Sequence, residues 1–228
     1  MQPEPTQRRI GFPGMAIHLA GLACMLAAAG CQLVSLASVA TRGQQSIAAS
    51  YPGLKGQRVG IMVWVDHAIS IDHPSIQPDV AKGLQDKLQQ AAAVKVEEVR
   101  DVKWMQADEI LRFQEAHPEL ESESAAELAK RLDVTRLIYV EVSILSLHPD
   151  QSVDLSRGVI HADLQAIEVT NGQSKVAFQE NDISAVYPDK SPVEGVTGLE
   201  DDDVYHHTVD SFTSELAKRF ITHEQDAQ

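Results

Sequence analysis

The sequence predicts an α/β domain with a single mixed sheet and the element order β-α-β-α-β-β-β-α. Three observations predict this class. Strand-like apolar runs alternate with segments of helical periodicity over residues 58–145. An Asn-Gly pair then separates two further strand-like runs, as in an antiparallel hairpin. A long apolar stripe at helical spacing closes the chain.

The first strand is predicted at residues 58–66 (RVGIMVWVD). Apolar side chains fall on both faces, which is typical of a central strand covered on both sides. One face carries Val59, Ile61, Val63 and Val65, and the other carries Met62 and Trp64.

Helix and strand patterns follow in turn. Residues 78–91 begin with Pro78, which suits a first helical turn because its missing N–H costs nothing there. Residues 94–99 are predicted as a short second strand, and residues 108–116 as a helix. Ser124 and Glu127 form a capping-box pattern that starts another helix.

The second half predicts a strand at residues 137–145 and a hairpin around Asn171-Gly172. A two-residue turn at that pair places Glu168 opposite Lys175, which is an attractive cross-strand pair. The last helix is predicted at residues 204–222. Its apolar stripe consists of Val204, Thr208, Phe212, Leu216 and Phe220.

Composition excludes several functional classes. The chain has 228 residues, and its 19 basic and 33 acidic residues give a net charge of −14. A nucleic-acid binder needs a basic footprint, so we expect no nucleic-acid partner. Two cysteines are too few for a disulfide scaffold or a structural cysteine-type zinc site. Neither a G-x-S-x-G elbow nor a phosphate-binding glycine loop occurs, so we expect no cofactor and no catalytic activity.

The N-terminus has the pattern of an export signal. Arg8 and Arg9 precede fifteen uncharged residues, 15–29, a length that suits a signal peptide better than a membrane-spanning helix. We therefore predict a signal peptide at 1–30, an anchor and tether at 31–56, one domain at 57–222 and a disordered tail at 223–228.

The end of that apolar stretch resembles the lipobox of bacterial lipoproteins, through Ala28, Ala29, Gly30 and Cys31. The resemblance implies cleavage before Cys31 and acyl chains on its sulfur, which would hold the protein on a membrane. The sequence departs from the family at Ala28, where leucine is usual. Cys24 is the alternative cleavage site, after Gly21-Leu22-Ala23. Gln32 resembles the class sorted to the outer membrane, which implies that location in the envelope.

The predicted domain resembles a group of bacterial envelope lipoproteins and related domains. These are the curli secretion lipoprotein, the lipoprotein that activates penicillin-binding proteins, and the N-terminal domain of the Tol translocation protein. The matching segments are residues 58–66, the helix near 78–91, residues 125–142 (AAELAKRLDVTRLIYVEV) and the hairpin around Asn171-Gly172. The group shares a fold and an envelope location rather than one activity, so it supplies no catalytic residues.

Two His/Asp clusters are candidate metal sites. Asp66-His67 and Asp72-His73 follow the first strand, where α/β proteins often bind ligands. A solvated polar loop is the simpler interpretation, because the spacing matches no metal motif. His206-His207, beside Asp202, Asp203 and Asp210, is the second cluster. Adjacent helical residues point about 100° apart, which disfavours a shared ion.

These observations favour a lipid-anchored, non-catalytic module that binds another envelope component, for example a protein with basic patches. Two alternatives stay open. One is a metal-binding protein or metal-dependent enzyme that uses His67, Asp72 and His73. The other is an oligomeric secretion component. The oligomeric state is not determined by the sequence.

Overall fold

A computed structural model of the chain describes residues 44–149, 152 and 154–226. The predicted α/β class is confirmed. The strands are β1 (Gln44–Ile47), β2 (Arg58–Val65), β3 (Lys103–Trp104), β4 (Arg136–Ser146), β5 (Gly158–Thr170), β6 (Gln173–Tyr187) and β7 (His223–Asp226). The helices are α1 (His67–Asp72), α2 (Ile76–Ala93), α3 (Ala107–Ala116), α4 (Ala125–Arg131) and α5 (Asp201–Ala217). Short 3₁₀ turns lie at Glu97–Val99 and Pro118–Ser122.

The main sheet is mixed and has the strand order β3-β2-β4-β5-β6. β2 runs parallel to β3 and β4, whereas β4, β5 and β6 are successive antiparallel neighbours. The carboxyl ends of β2 and β4 therefore lie at one edge of the sheet. The tip of the β5–β6 hairpin lies at the opposite edge, since Arg136 at the start of β4 pairs with Glu168 near the end of β5.

Both faces of the sheet are covered, as the β2 pattern predicts. On one face Val59, Ile61 and Val63 belong to a cluster with side chains of α2 and α5. On the other face Met62 belongs to a second cluster with Ile110 of α3 and Leu128 of α4. The predicted stripe of α5 is fully buried, including Phe212 and the following Phe220. Burial of these side chains is the main stabilising term for the layers.

The hairpin forms with the predicted register. Asn171 and Gly172 both have positive φ, at 51° and 75°, which is the geometry of a two-residue turn that matches strand twist. Glu168 pairs with Lys175, and the two charged groups are 3.0 Å apart. Glu168 also accepts a hydrogen bond from the Tyr51 hydroxyl at 3.0 Å.

The second strand is not where the sequence predicts it. Lys95 has φ of 64° and residues 97–99 form a 3₁₀ turn, so residues 94–99 do not form a strand. The edge strand is instead β3, whose two residues pair with Arg58 and Val59. The positive φ of Lys95 ends the extended conformation there. Which nearby segment becomes a strand then depends on which one pairs with β2.

The packed core also begins earlier than residue 57. Tyr51 and Leu54 are buried, and the Tyr51 amide donates to the Arg219 carbonyl at 2.8 Å. In addition, β1 and β7 pair in a separate two-stranded sheet. The sequence predicted a tether and a disordered tail at those two positions, and it did not predict that they pair.

Candidate functional site

The predicted lipidation site lies outside the described residues. This holds for Cys31 and for the lipobox residues Ala28, Ala29 and Gly30. The lipid anchor therefore stays a prediction. Between residues 44 and 226, apart from the three undescribed positions near 150, no helix is both long enough and apolar enough to cross a bilayer.

The segment predicted as a polar loop at 66–73 is a helix. Asp66 caps α1, because its Oδ1 accepts a hydrogen bond from the Ala68 amide at 2.8 Å. His73 ends the helix, and its amide donates to the Ile69 carbonyl at 2.8 Å. The loop interpretation is wrong for a local reason: an Asp directly after a strand satisfies an unpaired amide and starts a helical turn.

The first metal candidate gains no support from this geometry. Among residues 44–149, 152 and 154–226, no three His, Cys, Asp or Glu side chains lie close enough to hold a metal ion. His67 is exposed, and the His73 ring stacks on Tyr205 with the centroids 5.8 Å apart and the planes at 12°.

The two imidazoles of the second cluster diverge, as helical geometry predicts. His207 stacks on Tyr187, with ring centroids 4.7 Å apart. His206 makes an edge contact with Tyr205 at 5.3 Å. Each imidazole therefore contacts a different aromatic ring.

Residues from both clusters nevertheless meet at the carboxyl edge of the sheet. They line an open cleft of about 290 Å³, which we call the acidic cleft. Its lining residues are Asp72, His73, Pro74, Ser75, Leu147, Asp201, Asp202 and Tyr205. The cleft lies beyond the carboxyl end of β4, which is the usual position for ligands in α/β sheets.

Hydrogen bonds fix the walls of the acidic cleft. The Tyr205 hydroxyl donates to Asp79 Oδ2 at 2.7 Å, which ties α5 to α2. Burial, and then this carboxylate, raise the pKa of Tyr205 well above its ordinary value. The phenol therefore stays protonated and acts as a donor at neutral pH.

His148 links the loop after β4 to the start of α5. Its Nδ1 lies 2.9 Å from the Leu155 carbonyl, and its Nε2 lies 3.3 Å from Asp201 Oδ2. The carbonyl raises the pKa of His148, and Asp201 adds to that effect against the opposing effect of burial. Because both ring nitrogens face acceptors, the protonated ring satisfies both contacts.

A second cleft of about 290 Å³ lies beside the carboxyl end of β2, and we call it the tryptophan cleft. It shares Pro74 with the acidic cleft. Its lining residues are Trp64, Pro74, Gln77, Pro78, Leu111, Gln114, Glu115, Pro118 and Glu121.

Two buried polar atoms on residues of the tryptophan cleft lack hydrogen-bond partners within the described part of the chain. They are Nε1 of Trp64 and Oε1 of Gln114. The Gln114 side chain is held in place, because its Nε2 donates to the Val63 carbonyl at 3.0 Å. Buried polar groups are nearly always paired, so an unpaired donor and an unpaired acceptor on one cleft make it a candidate site.

Gln114 was not predicted from the sequence, although the residue pattern of α3 contains a signal for it. Gln114 follows Ala107 and Ile110 at the spacing of one helix face, and all three are buried. A polar residue on an otherwise apolar helix face is the pattern that could have identified it. Trp64, on the second apolar face predicted for the first strand, is partly buried.

Comparisons with known proteins give weak likenesses only. No protein-family model matches the chain, and a search of curated proteins gives no match. Among solved structures, the PelC dodecamer from Paraburkholderia phytofirmans is 13% identical, with a TM-score of 0.42, over 78% of this chain and 98% of that chain.

Two further solved structures are similar at the same level. The hypothetical protein CT253 from Chlamydia trachomatis is 10% identical, with a TM-score of 0.42, over 72% of this chain and 97% of that chain. Lipoprotein GNA1162 from Neisseria meningitidis is 9% identical, with a TM-score of 0.40, over 70% of this chain and 97% of that chain. At these values the likeness carries no conclusion about what this chain binds, where it acts or how it assembles.

Proposed function

We propose that this protein is a lipid-anchored, non-catalytic binding module of the cell envelope, and that it holds a partner protein at the carboxyl edge of its sheet. The observation that carries the proposal is the pair of clefts at that edge. One has acidic walls, and the other has two unpaired buried polar atoms.

The charge of this edge supports a partner with a basic surface. Asp72, Asp201 and Asp202 line the acidic cleft, and Glu115 and Glu121 line the tryptophan cleft. The whole chain carries a net charge of −14. Complementary charge speeds the encounter with a basic surface and disfavours acidic ones.

A binding role also accounts for the contacts of the aspartate and histidine residues near this edge. Asp66 caps a helix, His73 and His207 stack on tyrosines, and His148 bridges a loop to α5. Each of these contacts holds a side chain in place at or beside the carboxyl edge of the sheet. None of them pairs a nucleophile with a base in the manner of general base catalysis.

Photocrosslinking in cells tests the proposal. A photoreactive amino acid is placed at Ser75, which is exposed on the acidic cleft, or at Glu115, which is exposed on the tryptophan cleft. The matched control position is Gln173, which is exposed at the hairpin tip on the opposite edge of the sheet.

We expect one discrete crosslinked species from Ser75 and from Glu115, and none from Gln173. Mass spectrometry of that species should identify a single envelope protein. Equal crosslinking from all three positions, or none from the two cleft positions, would overturn the proposal.

A further inference from the structure

We propose that the tryptophan cleft is the pocket that takes a basic side chain, arginine above all, from the partner polypeptide. This inference deepens the proposed function and rests on it. It names the chemistry that one of the two clefts recognises. Four features of the cleft carry it, namely its apolar walls, its unpaired carboxylates, its buried acceptor and its indole ring.

The walls suit the methylene stem of a long basic side chain. Pro74, Pro78 and Pro118 line the cleft, together with Leu111. Prolines hold these walls in a fixed shape, because their φ angle is locked. Arginine and lysine bury their methylene groups along such apolar surface while the charged head reaches polar groups.

The two carboxylates of the cleft are not used within the protein. Glu115 and Glu121 are exposed, and neither has an ion-pair partner among the described residues. No basic residue lines the cleft. Many other glutamates do have partners, for example Glu123 with Arg131 at 2.5 Å and Glu180 with Arg219 at 2.7 Å. Two carboxylates beside one cleft leave a negative field for a cation.

The buried acceptor gives the cleft a preference for a strong donor. Gln114 is 4% exposed, and its Oε1 has no partner among the described residues. Because Nε2 is committed to the Val63 carbonyl, the amide cannot exchange its two ends without losing that bond. A guanidinium offers five donors in a planar fork, so it can serve Oε1 and a carboxylate together.

The indole ring completes the recognition. A guanidinium stacks on tryptophan more favourably than on other aromatic rings. The Trp64 Nε1 hydrogen is the unpaired donor, and a backbone carbonyl of the bound segment would accept it. Both unpaired atoms are buried in the free protein. Because the Gln114 amide is held by its bond to the Val63 carbonyl, binding requires the indole ring to rotate and expose them. That rotation makes Trp64 a reporter.

A neutral saccharide would also satisfy one donor and one acceptor. It would leave the charges of Glu115 and Glu121 uncompensated, and for that reason the observations favour the basic side chain. A neutral oligosaccharide is therefore one of the probes in the test.

The test uses the full chain in detergent micelles, with Trp104→Phe so that Trp64 is the single tryptophan. The probes are a short acetylated glycine peptide with one central arginine, the same peptide with neutral citrulline, and a neutral oligosaccharide. We expect a saturable change of Trp64 emission with the arginine peptide, and binding of the citrulline peptide about tenfold weaker or more, because its charge-assisted hydrogen bonds are lost.

Two double variants with the same net charge distinguish binding in the cleft from nonspecific attraction to the acidic protein. Glu115→Gln with Glu121→Gln removes both cleft carboxylates. Glu109→Gln with Glu119→Gln removes two exposed charges from the same elements, α3 and the following 3₁₀ turn, at positions outside the cleft. We expect the first pair to weaken the arginine peptide about threefold to tenfold, and the second pair to leave its affinity unchanged.

A third variant, Gln114→Met, removes the buried acceptor at similar volume and should weaken binding about tenfold. Its fold is checked by circular dichroism, and the exposed glutamate variants keep the test decisive if it unfolds. Equal binding of arginine and citrulline, equal loss in both double variants, or preference for the oligosaccharide would overturn the inference. Crosslinking from Ser75 and Glu115 would still stand in that case, so the two proposals fail separately.

Discussion

At the scale of single residues, Asp66 acts as the N-terminal cap of α1. Its carboxylate accepts from the Ala68 amide, and its own amide donates to the Val142 carbonyl at 3.0 Å. A cap needs an acceptor and not a charge, so Asn can replace Asp at this position. A metal ligand would need the carboxylate itself.

We therefore expect Asp66→Ala to lower the free energy of unfolding by about 1 kcal/mol and Asp66→Asn by much less. Urea denaturation at neutral pH measures both. The control is Asp72→Ala, at the exposed last residue of α1, which should cost nothing because an acid at that end of a helix is unfavourable. Stabilisation of the wild type by zinc that Asp66→Asn abolishes would contradict the cap assignment.

His148 gives a stability term that depends on pH. Its pKa is raised in the folded protein, chiefly by the Leu155 carbonyl and then by Asp201. A raised folded pKa means that the stabilisation is fully present below the unfolded value of 6.5. It is lost as the pH rises through the folded pKa.

We expect the difference in unfolding free energy between wild type and His148→Gln to be largest below pH 6.5 and to shrink as the pH rises above that value. Its size should stay below about 1 kcal/mol, because Asp201 is largely exposed. Asp201→Asn should reduce the pH dependence, because it keeps an acceptor oxygen but removes the negative charge that favours the protonated ring. A difference that grows with pH would show the opposite sign and refute the assignment.

At the scale of elements, Gly158 sets how closely β5 approaches α5. A Cβ at this position would lie 1.8 Å from Thr208 Oγ1 and 3.0 Å from Thr208 Cβ. The Thr208 hydroxyl is buried and donates to the Val204 carbonyl at 2.6 Å, so it cannot turn away without losing that bond. Glycine is required here by the contact between two elements.

We expect Gly158→Ala to destabilise the fold by about 1–3 kcal/mol through overpacking. Adding Thr208→Ala should recover part of that loss, because it removes the closest clashing atom. A double-mutant cycle followed by thermal or urea unfolding measures the coupling. Strictly additive losses would mean that the clash is relieved in some other way.

At the same scale, a local sequence pattern predicts some elements and not others. The β5–β6 register next to the turn was predictable, because Asn171-Gly172 fixes a two-residue turn and the pairs from Thr170–Gln173 to Ile167–Val176 then follow in order. Beyond Ile167 the register shifts at two irregularities, which the turn does not predict. The edge strand was not predictable. β3 has only two residues, and its position depends on where β2 offers a free edge. A segment that short has no periodicity of its own to detect.

At the scale of the whole molecule, the predicted anchor and the acidic domain are complementary. A diacylated cysteine would hold the chain on a membrane, and the net charge of −14 would keep the domain away from anionic headgroups. The domain would then be free to meet a basic partner. This arrangement depends on Cys31.

We expect Cys31→Ser to release the protein from the membrane fraction on cell fractionation, because a serine cannot carry the thioether-linked lipid. Cys24→Ser is the matched control and should leave the protein on the membrane. Mass spectrometry of the mature N-terminus should find acyl chains on Cys31. An intact Met1, or an unmodified Cys31, would contradict the anchor.

The sequence by itself determined the fold class, the hairpin turn and the buried stripe of α5. These features depend on neighbouring residues or on periodicity within one element, so they can be identified without contacts. Only the tertiary structure decided which polar residues meet. Asp72 and Asp201 line one cleft although 129 positions separate them, and Trp64 and Gln114 line another. The parallel pairing of β2 and β4 places the segments that follow these strands at one edge, and no local pattern encodes which side chains from distant segments converge there.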